Sequence, residues 1–463
     1  MRRAFRVALL AATVFLLSSG YLMLNLRYFS RNLGWDEVYY SAWVDHWDAH
    51  PVYYPHHLIF TPSSVWFQRH FTALTGITNT TFIQKVKNTI VVSAGLGILL
   101  LLCYAASRRY WLSLAITMLI AFSGSLWHDA TAHETAAIPG IIVNVTVLLL
   151  LFYRRIPLPG PYIVLVAALQ SVAILLHQAY FLSVPSFAVV FLLSVHRSDA
   201  RFSLVRNLGR TAIYALTVLL LTGGTYYYIG FVRLGLRMHD NPDGAQTVPF
   251  FESIPIRGNF VRFFYLIRAR ETWGGTDEDS LRDAVNGYGS SFVTSFRLDR
   301  VAQDPTQQDQ PPTSAITAAF VGSVLAALIL LMVPAVRRYG PVLPALLVWM
   351  ALGSVFVYWW EPWYMEHWLY ITVLTWALLF VVLEAALSRI TYRLPRRLVY
   401  GTVCVLLFSF VLFMFQANLT SAILPATRPG APRGVSSFAW DDRYLMDEMY
   451  RDTARDILGE EGR

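Results

Sequence analysis

Two adjacent carboxylates, Asp36 and Glu37, follow the first apolar stretch of the chain, within the sequence GWDEVYY at positions 34–40. A carboxylate beside a hydroxyl group can remove its proton as a general base, and a second carboxylate can orient or assist the first. Keeping acids so close to a bilayer costs free energy, so they indicate a functional site by default. The alternative interpretation is a solvated cap at the start of a helix.

The only two lysines of the 463-residue chain, Lys85 and Lys87, lie at the start of the second apolar stretch. A lysine ammonium is a compact charge that suits a phosphate group. Lysines at the end of a membrane helix can also extend toward the lipid headgroups, and this second interpretation stays open. Three arginines of a later loop are further candidates for phosphate binding: Arg257, Arg262 and Arg297.

The remaining polar candidates are histidines and acids in the same set of loops. They are His56, His57, His133, Glu134, His177, Glu361, Glu366 and His367. Such side chains can hydrogen-bond a bound substrate, and the five from His56 to His177 could also converge on a divalent metal ion. No pair has a diagnostic spacing such as His-Glu-x-x-His, so a metal is possible and its ligands are unknown.

The elements that must position these residues are membrane helices. The chain is 56% hydrophobic and only 14% charged, against about 25% charged in soluble domains. A helical span needs about 20 apolar residues, because lipid cannot satisfy free backbone groups. We predict an all-α polytopic bundle of about eleven spans. They lie near residues 7–26, 88–106, 110–126, 138–153, 161–176, 179–195, 211–231, 314–333, 341–358, 368–387 and 398–416.

Arginines are concentrated in alternate loops, on the side of the amino terminus, which the positive-inside rule makes cytoplasmic. The candidate residues then lie on the other side, in external loops 27–87 and 232–313 and in shorter turns. We divide the chain into a transmembrane bundle, 1–416, and an external tail, 417–463. Basic residues that are nearly all arginine are typical of a GC-rich genome. This predicts a multi-pass protein of the bacterial inner (plasma) membrane with its site on the periplasmic side.

The net charge of +8 is explained by this topology and by anionic lipid, so nucleic acid is not predicted as a partner. Cys103 and Cys404 fall inside predicted spans, where they are expected to be small buried hydrophobic residues without a disulfide. The sequence also has no glycine-rich loop of the kind that binds nucleotide phosphates.

The first external loop has an internal organisation. The segment 39–50 places Tyr40, Trp43, Val44 and Trp47 on one helical face, which predicts an amphipathic helix in the membrane interface. A second such helix is predicted for 63–74, with Val65, Trp66, Phe71 and Leu74 available to lipid or to the spans. Two interfacial helices therefore follow the acidic pair.

With an acidic pair after the first span, two juxtamembrane helices and a many-span bundle, the sequence resembles the GT-C superfamily of glycosyltransferases. The resemblance is to the protein O-mannosyltransferases and lipid A aminoarabinose transferases, and it is strongest over about the first 200 residues. It implies transfer of a sugar from a polyprenyl-phosphate-linked donor, with Asp36 as base and Glu37 as orienting partner or second acid. The sugar and the acceptor, whether protein, lipid or glycan, stay unassigned.

Three other functions are compatible with this composition. An O-antigen ligase or polymerase would use a late external loop, where 232–313 offers His239 and several arginines. A transporter or flippase for a lipid-linked sugar would need ionisable groups within the spans and repeated halves, and few charges interrupt the spans here. A noncatalytic assembly subunit is the third.

Overall fold

The structure is a computed structural model. It describes residues 2–28, 35–48, 51, 53, 57–194, 196, 199, 202–233, 277–294, 339–340, 342–360 and 368–424, with isolated residues between 319 and 330. In these ranges the regular elements are helices. They are α1 Arg2–Arg27, α2 Trp35–Asp45, α3 Phe60–Thr75, α4 Thr80–Ser107, α5 Tyr110–Ala121, α6 Gly124–Thr131, α7 Ala137–Leu150, α8 Pro159–Leu176, α9 Val184–Leu193, α10 Leu204–Val218, α11 Gly224–Tyr227, α12 Asp277–Phe292, α13 Val342–Trp360, α14 Leu369–Arg389 and α15 Arg393–Asn418.

Six helical segments of the described chain are long and apolar enough to cross a bilayer, and α5 with α6 makes a possible seventh bent by 62°. The six are Val7–Arg27, Thr80–Ser107, Pro159–Leu176, Leu204–Gly230, Leu369–Arg389 and Leu394–Ile423. Shorter apolar helices cover Ala137–Leu150, Gln178–Leu193 and Val342–Val357. Ten of the eleven predicted stretches coincide with one of these helices, while 314–333 lies almost wholly outside the described residues.

Local sequence explains where the helices around the site begin and end. The Asn79 side chain caps α4 by accepting the backbone N–H of Phe82 at 2.8 Å. The helix α3 ends at Gly76, whose φ of +73° is the left-handed conformation that favours glycine. Between the two helices only four residues remain, so α3 must return directly against the start of α4.

The helix α4 is the central element of the amino-terminal half and packs against α1, α3 and α7. Two glycines allow this close packing. A Cβ on Gly95 would lie 2.0 Å from a methyl carbon of Ile141 in α7, and one on Gly97 would lie 2.6 Å from Ser18 Oγ in α1. Small residues at helix crossings are typical of membrane bundles, where packing drives association.

The candidate residues that the structure describes lie at one end of this bundle, and the described arginines Arg108, Arg109 and Arg210 lie at the other. The 28 residues of α4 span about 40 Å, with the two lysines near its start and Arg108 after its end. At the latter end, Arg109 Nη2 lies 3.3 Å from Ser388 Oγ, and Arg210 pairs with Asp199. The separation agrees with the alternation of loops predicted from the sequence.

Three segments differ from the sequence-based expectation. The turn predicted at 127–137 is helical as far as Thr131, because its residues are buried and buried backbone groups need internal hydrogen bonds. The predicted loop 232–313 contains the helix α12, which Asn418 joins to the bundle. Asn418 Nδ2 donates to the Phe292 carbonyl at 2.9 Å, and its Oδ1 accepts the Thr294 N–H at 2.8 Å. The helix α15 and the helical turn after it extend through Ile423, seven residues beyond the predicted boundary at 416.

The two helices predicted after the first span occur nearly as predicted. The second is α3, with Trp66 63% exposed and Leu74 86% exposed, whereas Val65 faces the bundle and is buried. The first begins at Trp35 instead of residue 39, so it includes the acidic pair. Its apolar face is buried through Tyr40 and Val44.

Candidate functional site

The acidic pair occupies the first turn of α2, where backbone N–H groups are not used within the helix and favour negative charge. Glu37 is 2% exposed and points into the bundle. The side chain of Asp36 lies outside the described residues. Of the acidic pair, the structure therefore shows the side-chain contacts of Glu37, the second acid.

Two groups from different parts of the chain hold the Glu37 carboxylate. Its Oε1 accepts the backbone N–H of His133 at 2.6 Å, and its Oε2 lies 3.2 Å from Nζ of Lys85. The Lys85 and Glu37 side chains are 5% and 2% exposed. A buried carboxylate is tolerated only when it is paired and hydrogen-bonded, and both conditions are met here.

Lys87 lies about half a helical turn beyond Lys85 on α4 and has different partners. Its Nζ donates to Ser64 Oγ at 2.5 Å and lies 4.1 Å from the centre of the Phe60 ring, a cation–π contact. It is 4% exposed, and among the described residues no carboxylate forms an ion pair with it. Neither lysine therefore extends to the headgroups, which removes the basis for the snorkelling interpretation.

The turn between α6 and α7 carries His133 and Glu134, both buried. The His133 ring stacks on Phe60 with centroids 5.7 Å apart, and its Nδ1 lies 3.3 Å from Ser41 Oγ of α2. Burial, followed by the charges of Lys87 and Lys85, holds the pKa of His133 well below its usual value. The imidazole is thus neutral at physiological pH.

A second group of polar aromatic side chains adjoins the first. The rings of His57 and His177 are 4.5 Å apart, and Tyr370 at the start of α14 lies 2.8 Å from His177 Nε2 through its hydroxyl. Tyr40 connects the two groups, because it contacts His57 and His133 with ring centroids 5.9 and 5.7 Å apart. Residues from four sequence regions therefore meet at one end of the bundle.

Of the candidates named from the sequence, seven have described positions in this region: Glu37, Lys85, Lys87, His57, His133, Glu134 and His177. The others lie outside the described residues: His56, Arg257, Arg262, Arg297, Glu361, Glu366, His367 and the side chain of Asp36. Within the described ranges, no three His, Cys, Asp or Glu side chains are grouped as metal ligands. His57 and His177 are in contact, while His133 lies beyond Tyr40.

Sequence reasoning missed several residues that build the site. Asn88 Nδ2 donates to the carbonyls of Ala132 and Glu134 at 2.9 and 2.8 Å, and Gln84 Nε2 donates to the Ser64 carbonyl at 3.0 Å. Both amides lie on α4, and an amide inside an apolar span is a signal for an internal partner. The prediction began that span at residue 88 and so treated Gln84 as part of a loop.

The helix α12 was also not predicted, although its sequence has two features that are typical of a helix. Acidic residues at 277–279 precede apolar residues at Leu281, Ala284, Tyr288 and Phe292, with the spacing of one helical face. Tyr288, whose pKa burial raises to about 12, lies 2.9 Å from Thr375 Oγ1 of α14. The glycines at 287 and 289 obscure this pattern.

No protein-family model and no curated protein matches the chain. Solved structures do. The archaeal oligosaccharyltransferase AglB from Archaeoglobus fulgidus, in complex with an inhibitory peptide and a dolichol-phosphate, has a TM-score of 0.51 and 13% identity, over 93% of this chain and 57% of AglB. The apo form of the Archaeoglobus fulgidus oligosaccharyltransferase has a TM-score of 0.50 and 14% identity, over 91% and 55%.

The chain shares the fold of this archaeal oligosaccharyltransferase. It spans a little over half the length of the archaeal oligosaccharyltransferase. ArnT from Cupriavidus metallidurans, bound to undecaprenyl phosphate, also aligns, with a TM-score of 0.46 and 14% identity over 98% of this chain and 77% of ArnT. The fold resemblance suggested by the acidic pair and the loop architecture is confirmed.

Proposed function

We propose that this protein is a membrane glycosyltransferase that moves a sugar from a polyprenyl-phosphate-linked donor to an acceptor at the external face of the membrane. The observation that carries the proposal is the buried cluster of Glu37, Lys85, Lys87 and His133 at one end of a GT-C fold. A bundle held only by packing would not need two ammonium groups and a carboxylate in its interior.

In the proposed reaction, the acceptor hydroxyl attacks the anomeric carbon of the sugar. The bond from that carbon to the acceptor oxygen forms while the bond to the donor phosphate oxygen breaks, with inversion. The acceptor proton passes to Asp36, and the electron pair leaves with the polyprenyl phosphate. A general base and a cation for the departing phosphate are the two groups that this chemistry requires.

Glu37 suits the orienting role better than the role of base. A carboxylate that already accepts a backbone N–H and pairs with Lys85 is held in place by both partners. We assign proton abstraction to Asp36, which precedes it in the first turn of α2, and assign to Glu37 and Lys85 the task of fixing that turn.

Lys87 is our choice for the donor phosphate. Its only described hydrogen bond is to a neutral hydroxyl, so two of the three ammonium donors are left for an anion. Lys85 offers less, because Glu37 already neutralises it. Arg257, Arg262 and Arg297 remain alternatives from the long loop.

The group of His57, His177 and Tyr370 is our candidate for contacts to the sugar or acceptor. Imidazole and phenol groups hydrogen-bond hydroxyls, and both rings also offer an apolar face. His56, His133, Glu134, Glu361, Glu366 and His367 complete this proposed set. A divalent metal is compatible with the site and is not required by the reaction as written.

Two features support a lipid-linked donor at the external face. AglB, which shares the fold, was solved with a dolichol-phosphate. The proposed site lies at the end of the bundle opposite the arginine-rich loops, which the positive-inside rule makes cytoplasmic. The arginine-rich composition supports a bacterial inner membrane.

The test is sugar transfer from a polyprenyl-phosphate-linked donor by purified protein in liposomes. Asp36→Asn keeps the size of the side chain and removes its basicity, so we expect activity to fall by about 100-fold or more. The control is Asp48→Asn in the same loop, where the carboxylate is 85% exposed and pairs with Arg69. We expect this variant to transfer sugar at the wild-type rate, since surface ion pairs contribute little.

Wild-type turnover by a folded Asp36→Asn protein would refute the assignment of the base. Failure of the wild-type protein to use any of a panel of polyprenyl-phosphate sugars, with binding of none, would refute the proposed function.

A further inference from the structure

One face of α4 holds both the acidic turn and the turn that carries His133. Lys85, Asn88 and Thr89 are three and four residues apart and therefore share a helical face. Lys85 pairs with Glu37, Asn88 bonds to the turn, and Thr89 Oγ1 donates to the Ala130 carbonyl at 2.7 Å. The His133 N–H then returns to Glu37, which closes a ring of contacts.

Asn88 has a distinct place in this ring. Its amide nitrogen donates both hydrogens, one to the Ala132 carbonyl and one to the Glu134 carbonyl. The two acceptors are on either side of His133. Because both carbonyls point toward Asn88 on α4, the N–H of His133 points away from Asn88. It points toward Glu37, at 2.6 Å.

Among the described residues, the side chain of Asn88 forms hydrogen bonds as a donor only. Asn88 is 0% exposed, and within the described part of the chain its Oδ1 has no hydrogen-bond partner. Leaving a buried carbonyl of this kind unpaired is unfavourable. The residue is therefore explained by its two N–H groups, which act on the turn.

We propose that Asn88 is a positioning residue for the glycosyl transfer. It holds the turn 132–134 so that the His133 N–H fixes Glu37 and, through α2, the acidic pair. This inference rests on the proposed function, and its structural part, the coupling of Asn88 to Glu37, can be tested separately.

The principal variant is Asn88→Ala. Because Asn88 touches the turn and not the reacting atoms, we expect kcat to fall by about 10- to 100-fold, as a displacement of about 1 Å in a catalytic group would cause. We expect the KM for the donor to change by less than about threefold, since the Lys87 contact is retained. Asn88→Gln, which keeps both donors on a longer side chain, should recover part of the lost kcat.

The matched control is Asn144→Ala in α7. Asn144 is also a buried asparagine of an apolar helix, at 2% exposure, and its Nδ2 has no hydrogen-bond partner among the described residues. It tests the loss of a buried amide as such, and we expect its kcat to stay within about twofold of wild type.

A double-mutant cycle with Glu37→Gln distinguishes positioning from a general structural role. If Asn88 acts through Glu37, Asn88→Ala should lower kcat by less than about threefold in the Glu37→Gln background, far less than in the wild type. The unfolding temperatures of the same four proteins, measured in detergent without donor, should also be non-additive.

Fully additive effects on both kcat and unfolding temperature would overturn the inference. Non-additive unfolding temperatures together with wild-type transfer by Glu37→Gln would instead overturn the role of Glu37 in the proposed function, while the coupling to Asn88 would stand. A folded Asn88→Ala protein with wild-type kcat would also overturn the positioning role.

Discussion

The buried ion pair between Lys85 and Glu37 permits a quantitative prediction about stability. The two side chains are 5% and 2% exposed, and Nζ lies 3.2 Å from Oε2. The substitution Lys85→Met keeps most of the volume and removes the charge, so that the buried Glu37 carboxyl group keeps only the backbone N–H of His133 as a partner. Removing one partner of a buried pair costs about 3–5 kcal/mol, because the remaining charge is uncompensated.

The expected change in unfolding temperature follows from the size of the chain. An unfolding entropy of about 2 cal/mol/K per residue gives about 1 kcal/mol per kelvin for a chain of 463 residues. Lys85→Met should therefore lower the midpoint by about 3–5 °C. The measurement is thermal unfolding in detergent, followed by tryptophan fluorescence. The double variant Lys85→Met with Glu37→Gln removes both charges and should recover most of the loss.

Lys87→Met is the matched control on the same helix. It removes an ammonium that has no described carboxylate partner. The loss of the cation–π contact, about 0.5–2 kcal/mol, is therefore offset because a charged group no longer has to be buried. We expect its midpoint to stay within about 2 °C of wild type, while donor affinity falls by more than tenfold. The two lysines thus separate stability from donor binding.

Two results would refute this reasoning. One is an unfolding midpoint of Lys85→Met within about 1 °C of wild type. That result would mean that removing Lys85 leaves no uncompensated charge on Glu37. The other is a double variant no more stable than Lys85→Met alone, which would show that the loss comes from packing and not from charge.

Further expectations concern pH and topology. Burial and the neighbouring ammonium groups hold the folded-state pKa of His133 well below the value of about 6.5 in the unfolded chain, so its contribution to stability is complete above that pH and is lost as the pH falls below it. The unfolding temperature of the wild type should drop more steeply between pH 7.5 and pH 5.5 than that of His133→Phe, and equal slopes would contradict a neutral buried imidazole. In a protein with Cys103 and Cys404 replaced, single cysteines at the exposed positions Ala73 and Arg155 should react with an impermeant thiol reagent from opposite sides of the membrane. Reaction from one side only would rule out the proposed orientation.

Much of the architecture could be predicted because bilayer physics acts on local sequence. A helix must satisfy its own backbone in lipid, so each span is a contiguous apolar stretch, and ten such stretches correspond to helices. The helix α3 could be predicted because its large apolar residues recur with the spacing of one helical face. The helix α12 was not predicted because its apolar face packs on α14, through Tyr288 against Thr375 and Phe292 against Trp376, and is interrupted by glycines.

The sequence by itself determined which chemistry the protein could contain: an acidic pair beyond the first span, two unusual lysines, and histidines in the loops of one side. Only the tertiary structure decided how these groups pair. Lys85 and Lys87 are equivalent in sequence, yet one neutralises Glu37 and the other faces Ser64 and Phe60. They are two positions apart on α4, so they point about 200° apart around the helix axis and meet different neighbours. Likewise, Asn88 and the turn at 132–134 lie 44 to 46 residues apart along the chain and meet because α4, α6 and α7 pack together. Such pairing depends on distances between separate helices, which no local pattern of residues encodes.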